Sequence, residues 1–280
     1  MHWSGKVPVL TYHAVNVMEN TYAENDHIAL AADLQTLAQE GWEIVPLHDV
    51  VDWHQGKSAG FEGRKVVALT FDDGSWFDYH DLDHPTCGMQ RSFFNILKDF
   101  QASQSDDRRF VVHATSFVIS SPDARHELDK KGLIGKGWWG DDWWRAAQES
   151  GLLSIECHSW DHVHPDLDVV AQKDQLKGNF SAVDSYEDCT VQVARAGDYI
   201  QEQLGNVRPN LFAYPYGESS NYLVNCYFPE FRHRHEFVAA FSTEPKPLTK
   251  EANIWSLPRF VFGRDWSSPR ELVTLLSECA

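Results

Sequence analysis

Two short stretches of the chain hold residues whose types and spacing can do chemistry. Residues 69–75 read LTFDDGS, an apolar run that ends in two adjacent carboxylates, Asp72 and Asp73. Residues 157–165 read CHSWDHVHP, with His158 and His162 four positions apart. A carboxylate at the end of a buried strand is costly unless it is paired or bound to a cation, and two side by side demand a reason. On a helical turn, residues four apart point their side chains the same way. Two imidazoles and one carboxylate form a three-ligand set that leaves a fourth position for water, as in a catalytic zinc centre. One Asp of the pair can be the third ligand. The other can take the proton from a water whose pKa the metal lowers to about 7, and the cation offsets the charge of the pair. Taken singly, H-x-x-x-H is a surface pair and DDG a turn. Their joint occurrence at the ends of apolar runs points to a metal site.

Elements able to position these groups alternate along the chain. Apolar runs at 7–12 (VPVLTY), 42–47, 65–71 (KVVALTF), 110–119, 152–156, 211–216, 237–242 and 254–261 read as strands. Helical patterns at 28–41, 48–54, 89–102, 122–131, 141–150, 185–204 and 219–227 lie between them, with a last helix starting near Ser268. KVVALTF is apolar almost throughout, as expected of a strand buried on both faces. Strand–helix alternation on this scale implies an α/β protein with a mostly parallel sheet, closed as a barrel or doubly wound. Several runs end in polar residues: His13, Asp72-Asp73, His158, and Tyr216-Gly217. A (β/α) barrel gathers such strand ends at one mouth, where active sites sit.

Composition bounds the partners. The 280 residues carry a formal charge of −17 and are 42% hydrophobic, enough for one large core. Such a negative field repels phosphate backbones and no Lys/Arg cluster stands out, so a nucleic-acid partner is not expected. No apolar run approaches the roughly 20 residues of a membrane helix. Five scattered cysteines (Cys87, Cys157, Cys189, Cys226, Cys279), with no C-x-x-C and no leader-like start, suggest reduced thiols in a cytoplasmic protein; the alternative is an exported protein whose leader has been removed. Cys157, just before His158 on a strand, should point away from the metal.

The motifs also carry a resemblance. Thr70-Phe71-Asp72-Asp73-Gly74, His158-Ser159-Trp160-Asp161-His162 and Phe212-Ala213-Tyr214-Pro215-Tyr216-Gly217 are similar, in order and strand-end context, to the motifs of polysaccharide deacetylases (carbohydrate esterase family 4, NodB homology). The opening VPVLTYH and the late SLPRF resemble that family's poly-N-acetylglucosamine deacetylase branch. The resemblance covers nearly the whole chain. It implies a single catalytic domain over 1–280, an irregular (β/α) barrel of seven or eight mostly parallel strands, with a Trp-rich insertion near 120–150. It also implies a hydrolase that removes N-acetyl groups from amino sugars with Zn2+ or another divalent metal. By position, Asp72 would be the general base, Asp73, His158 and His162 the metal ligands, and the backbone N–H of Tyr216 an oxyanion donor.

The chain departs from the family pattern in three places. The Arg that usually braces the catalytic Asp is replaced by Ala213, and Arg259 of SLPRF is the candidate to supply its charge. The late Asp/Trp motif has no match after Tyr216; Asp141-Asp142-Trp143-Trp144 resembles it but precedes the His pair. The family's late general-acid His is also missing, since the last histidine is His235. His13 is the first choice to protonate the leaving amine, and His164 the second; His113, His233 and His235 are read as structural. In KGWWGDDWWRAA (136–147) the tryptophans either form a stacking platform for a sugar or pack in the core. Two other readings stay open: a hydrolase of a small N-acyl or cyclic amide on the same fold, and a carbohydrate-binding relative without catalysis.

Overall fold

A computed structural model describes residues 5–104, 112–171 and 176–279. Its centre is an eight-stranded sheet of β1 (Val9–His13), β2 (Trp42–Ile44), β3 (Lys65–Asp73), β6 (Ala114–Val118), β7 (Leu153–Cys157), β8 (Leu211–Ala213), β9 (Ala239–Phe241) and β10 (Phe260–Val261). The order is β10-β1-β3-β6-β7-β8-β9, with β2 on β3, and every pairing is parallel. Beyond β9, Ser242 N and Leu257 N bond to Leu257 O and Ala240 O, and the 254–257 segment runs on into β10. The curled sheet therefore closes on itself as an irregular (β/α) barrel. A separate hairpin, β4 (Leu82–His84) with β5 (Gly88–Gln90), follows β3.

Strand alternation divides the core in two. Along β3, Val67, Leu69 and Phe71 face the surrounding helices, among them α1 (Asp26–Gln39) and α3 (Phe93–Ser103). Val66 and Ala68 face inward, where Val9, Leu211, Ala239 and Leu257 meet Leu47, Val50 and Trp53 of α2 (Leu47–His54). This second cluster lies at the strand starts, so α2 plugs that end of the barrel and leaves the opposite end open. Inside the barrel, buried Glu156 is satisfied by His48 (2.9 Å) and by the Asn210 and Leu211 N–H groups. Free Cys157 lies in the outer core, facing away from the barrel interior. Among the described residues, no helix is long and apolar enough to cross a membrane.

Several elements differ from the sequence reading for local reasons. The helix expected at 89–102 starts at Phe93, because Ser92 caps it and Gly88–Gln90 pairs as a strand. The run at 110–119 yields a strand only over Ala114–Val118, and residues 110 and 111 lie outside the described residues. The long helix expected over 185–204 is α6 (Tyr186–Cys189) and α7 (Ala196–Gln203) joined by a π-turn, Thr190–Arg195. LFAYPY is strand only to Ala213, since Pro215 opens a 3₁₀ turn. The 254–261 run is strand only at Phe260–Val261. The chain ends in a helix over Pro269–Ser277, capped by Ser268.

Candidate active site

The carboxylate pair sits where β3 leaves the barrel. Adjacent strand residues point to opposite faces, which would send Asp72 inward and Asp73 away from it. Asp73 and Gly74 instead adopt φ values of 77° and 73°, and this left-handed turn brings both carboxylates to one cavity. Gly74 is needed for space as well: a Cβ there would stand 2.8 Å from Val118 Cβ and 3.0 Å from its Cα.

Asp72, 4% exposed, is held from within the barrel by Arg259, which is 0% exposed. The guanidinium donates Nη1 to Oδ1 (2.8 Å) and Nη2 to Oδ2 (2.9 Å), a fork-on-fork pair. Its Nε bonds the Ser242 carbonyl (3.2 Å) and its Nη1 also reaches Thr70 Oγ1 (3.3 Å). Burial by itself would raise the Asp72 pKa, but the charge of Arg259 and its hydrogen bonds outweigh it and hold the carboxyl well below its ordinary range.

The two histidines lie in an irregular loop after β7 and not on a helix. Positive φ values at Ser159 (70°), His162 (62°) and Val163 (42°) fold the loop so that the two rings stand 4.8 Å apart. Polar side chains lock this turn: Ser159 Oγ accepts from His162 N (3.0 Å), and Asp161 accepts from Val163 N (2.9 Å) and Ala171 N (2.5 Å). The π-turn faces the same loop. Inside it, Gln192 offers its carbonyl to Trp160 N (3.0 Å) and its Nε2 to Asp161 Oδ1 (2.9 Å). π-turns loosen the regular helical ladder and recur at functional sites; here one braces the His-bearing loop.

Asp73, His158 and His162 form the group able to hold a metal, their ligand atoms lying within 4.8 Å of one another. His158 and His162 Nε2 stand 3.8 and 3.7 Å from Asp73 Oδ1, too far for hydrogen bonds and close enough to share a cation. His158 Nδ1 lies 2.9 Å from the Ala213 carbonyl, an acceptor, so it carries the proton and leaves Nε2 with its lone pair outward. Burial, with His158 and His164 nearby, keeps the His162 pKa well below the ordinary value, so its ring is neutral as a ligand must be. The donor set fits a divalent metal of the zinc type.

The cavity has a volume of about 300 Å³ and is lined by Asp72, Asp73, His13, His158, His162 and Tyr216, with His164, Trp139 and Arg264 at its walls. His13 ends β1 in register with Asp72, and its backbone N–H donates to Asp26 (2.7 Å). Tyr216 is 41% exposed, its ring edge-on to His162 at 4.5 Å. It takes φ 59° and Gly217 φ 70°, and a Cβ on Gly217 would fall 2.7 Å from Thr243 Cβ. Every site residue named from the sequence therefore gathers here, with Arg259 one layer beneath. His113 and His235 lie elsewhere: His113 stands near His48, and His235 Nε2 bonds the Phe228 carbonyl. Trp143 and Trp144 are core, and Asp141 pairs with Arg125. Gln192, Asp161, Thr243 and Arg264 were not legible as site residues, because polar groups in a helix or loop carry no spacing signal.

Comparison with known proteins identifies the family. The family profile described as polysaccharide deacetylase matches residues 60–227, and the chain belongs to that family. It is accordingly a hydrolytic deacetylase that acts on the C–N bonds of acetylated sugars. Similar solved structures include Streptococcus pyogenes deacetylase PplD in complex with acetate, at 20% identity and TM-score 0.64 over 97% of this chain and 98% of that one. IcaB from Ammonifex degensii aligns at 21% identity and TM-score 0.63, covering 99% of each chain. The BpsB deacetylase domain from Bordetella bronchiseptica aligns at 15% identity and TM-score 0.64, covering 94% of this chain and 97% of that one. At these identities the likeness concerns the fold. No curated protein matches the chain.

Proposed function

We propose that the protein hydrolyses the N-acetyl group of an amino sugar within an oligo- or polysaccharide, with a divalent metal, zinc in our reading, held by Asp73, His158 and His162. The observation that carries this reading is the division of labour in the carboxylate pair. Asp72 gives both oxygens to Arg259 and approaches only His158 Nε2 (3.8 Å), while Asp73 Oδ1 faces Nε2 of both His158 and His162. A bound cation would polarise the amide carbonyl and acidify a water. Arg259 keeps Asp72 ionised, and Asp72 takes the proton of the attacking water as general base. The Tyr216 backbone N–H, carried on the 3₁₀ turn, is read as the donor to the oxyanion. His13, at the mouth beside Asp72, gives a proton to the leaving amine. The fold neighbour PplD was solved with acetate, the acid this cavity is read to release.

The test joins metal content by elemental analysis to acetate release from N-acetylglucosamine oligomers. Asp72→Asn should abolish turnover and keep the metal, whereas Asp73→Ala, His158→Ala and His162→Ala should each lose it. Loss of metal in Asp72→Asn with retention in Asp73→Ala would reverse the roles. Metal without acetate release would move the substrate to a small N-acyl amide.

A further inference from the structure

One wall of the cavity belongs to Trp139, in the segment between α4 (Pro122–Gly132) and α5 (Trp144–Ser150). Another is made of Tyr216 and Gly217 after β8, with Thr243 after β9 and Arg264 after β10 beside them. Two residues in succession are left-handed there: Tyr216 (φ 59°, ψ 5°) and Gly217 (φ 70°). A bulky residue enters that region at a cost and stays only where its surroundings hold it. The turn's own bonds, Gly217 N to Tyr214 O (2.9 Å) and Glu218 N to Pro215 O (3.0 Å), do not use the Tyr216 N–H. Thr243 holds the turn from outside, packed so closely that a Cβ on Gly217 would also lie 2.8 Å from its Cγ2. Arg264 grips Thr243 in turn, donating Nη1 to Oγ1 (3.1 Å) and Nη2 to the carbonyl (2.6 Å). Asp265 clamps the guanidinium, accepting from Nε (2.9 Å) and Nη2 (2.7 Å), and its Oδ2 also accepts from Val261 N of β10 (2.6 Å).

We infer that Arg264 is a positioning residue: clamped by Asp265, it holds Thr243 against Gly217 and so fixes the left-handed turn that carries the Tyr216 N–H. The inference rests on the oxyanion role proposed above and deepens it. Every N–H of the Arg264 guanidinium except one on Nη1 is spent within the protein. A guanidinium meant to take a substrate anion would keep its fork open. Oxyanion donors work because they are fixed before the charge develops, so a turn in this conformation needs a rigid backing. The two arginines that flank β10 take consecutive carbonyls, Arg259 that of Ser242 and Arg264 that of Thr243. One then serves the carboxylate and the other the oxyanion donor, and their loss leaves different kinetic signatures.

The experiment compares steady-state kinetics of acetate release from the N-acetylglucosamine tetramer by wild type, Arg264→Met, Thr243→Ala, Thr243→Ser and the double variant Arg264→Met/Thr243→Ala. Bound metal, melting temperature and the pH–rate profile are read on each preparation. A misplaced donor weakens an interaction made only in the transition state. In Arg264→Met and Thr243→Ala kcat should therefore fall roughly ten- to a hundred-fold, with KM as in wild type. Metal content and the acid limb of the pH profile should not move, because Asp72 and Arg259 are untouched. Thr243→Ser keeps the Oγ1 acceptor and should recover most of the loss. The double variant should lose little more than Arg264→Met alone, since both changes free the same turn. A wild-type kcat in Arg264→Met and Thr243→Ala overturns the inference. So does a raised KM at unchanged kcat, which would assign Arg264 to the substrate itself, and so do losses that multiply in the double variant. If Arg264→Met does not fold, Thr243→Ala and Thr243→Ser decide alone. Wild-type protein that binds metal and releases no acetate from the tetramer would instead refute the function proposed above, an outcome distinct from active protein whose kcat survives both variants.

Discussion

Replacing Arg259 by Met tests the centre of the argument, because it deletes one guanidinium and keeps much of the aliphatic stem. Arg259 has no exposure to solvent, and its fork covers both oxygens of Asp72 at 2.8 and 2.9 Å. Without it, Asp72 is left as a carboxylate only 4% exposed, and the Ser242 carbonyl loses the Nε donor. Removing one partner of such a pair costs about 3–5 kcal/mol, most of it the desolvation of the charge left behind. For a chain of this size that corresponds to a fall in melting temperature of about 5–9 °C. Burial, no longer opposed by the guanidinium, would also push the Asp72 pKa up. The acid limb of the pH–rate profile should therefore move to higher pH, and the assay is acetate release across pH beside a thermal melt. Arg259→Lys, a point charge without the fork, should fall between the two. The double variant Asp72→Asn/Arg259→Met should cost clearly less than the sum of the single variants, since each removes the other's reason to be charged. A loss under about 1 kcal/mol in Arg259→Met, an unmoved acid limb, or additive costs would refute the account of this pair.

Two further outcomes follow from groups away from the reacting centre. Gln192→Ala removes the side chain that ties the π-turn to Asp161, and metal affinity should fall about ten-fold while the fold persists, as for other groups that orient ligands; an unchanged affinity in a metal titration would remove Gln192 from that role. Asp33 is buried and accepts from Tyr12 (2.9 Å), Tyr22 (2.5 Å) and Trp266 (3.0 Å), and burial pushes its pKa up to about 6 against those hydrogen bonds. Between about pH 4 and 6 the folded chain therefore holds a proton at Asp33 that the unfolded chain has released, so stability falls as pH rises through this window, by about 2–3 kcal/mol in all. Asp33→Asn should flatten that slope, and parallel stability–pH curves for the two proteins would show that Asp33 does not titrate there.

Much of the fold, and the residues that gather at the cavity, were legible in the sequence for a physical reason. Strands buried on both faces read as uninterrupted apolar runs, so the polar groups that end them stand out, as Asp72-Asp73 do after KVVALTF and His158 after LLSIE. The backbone devices that aim those groups were not legible. Positive φ at Asp73, Ser159 and His162 is imposed by tertiary packing on residues that do not advertise it. The four-residue spacing of His158 and His162 suggested a helical turn, and the protein achieves the same convergence with a loop held by Ser159, Asp161 and Gln192. Arg259 was legible as a candidate only because Ala213 leaves an expected charge missing. Trp139 could not be separated from Trp143 and Trp144, because all three share one aromatic-rich segment and differ only in which side of it meets the cavity.

The closure of the barrel sets an order of assembly. Asp72 and Arg259 are 187 residues apart in the chain, and Arg259 lies in the segment that joins β9 to β10 and so seals the ring. Synthesis delivers the chain from its N-terminus, so all three residues able to hold a metal exist before the residue that braces Asp72. A chain halted short of the last strand would carry a full set of metal-binding groups and an unsupported Asp72. On the proposed roles, metal capture and catalytic competence would be separable events in the life of one polypeptide, with β10 the step that separates them.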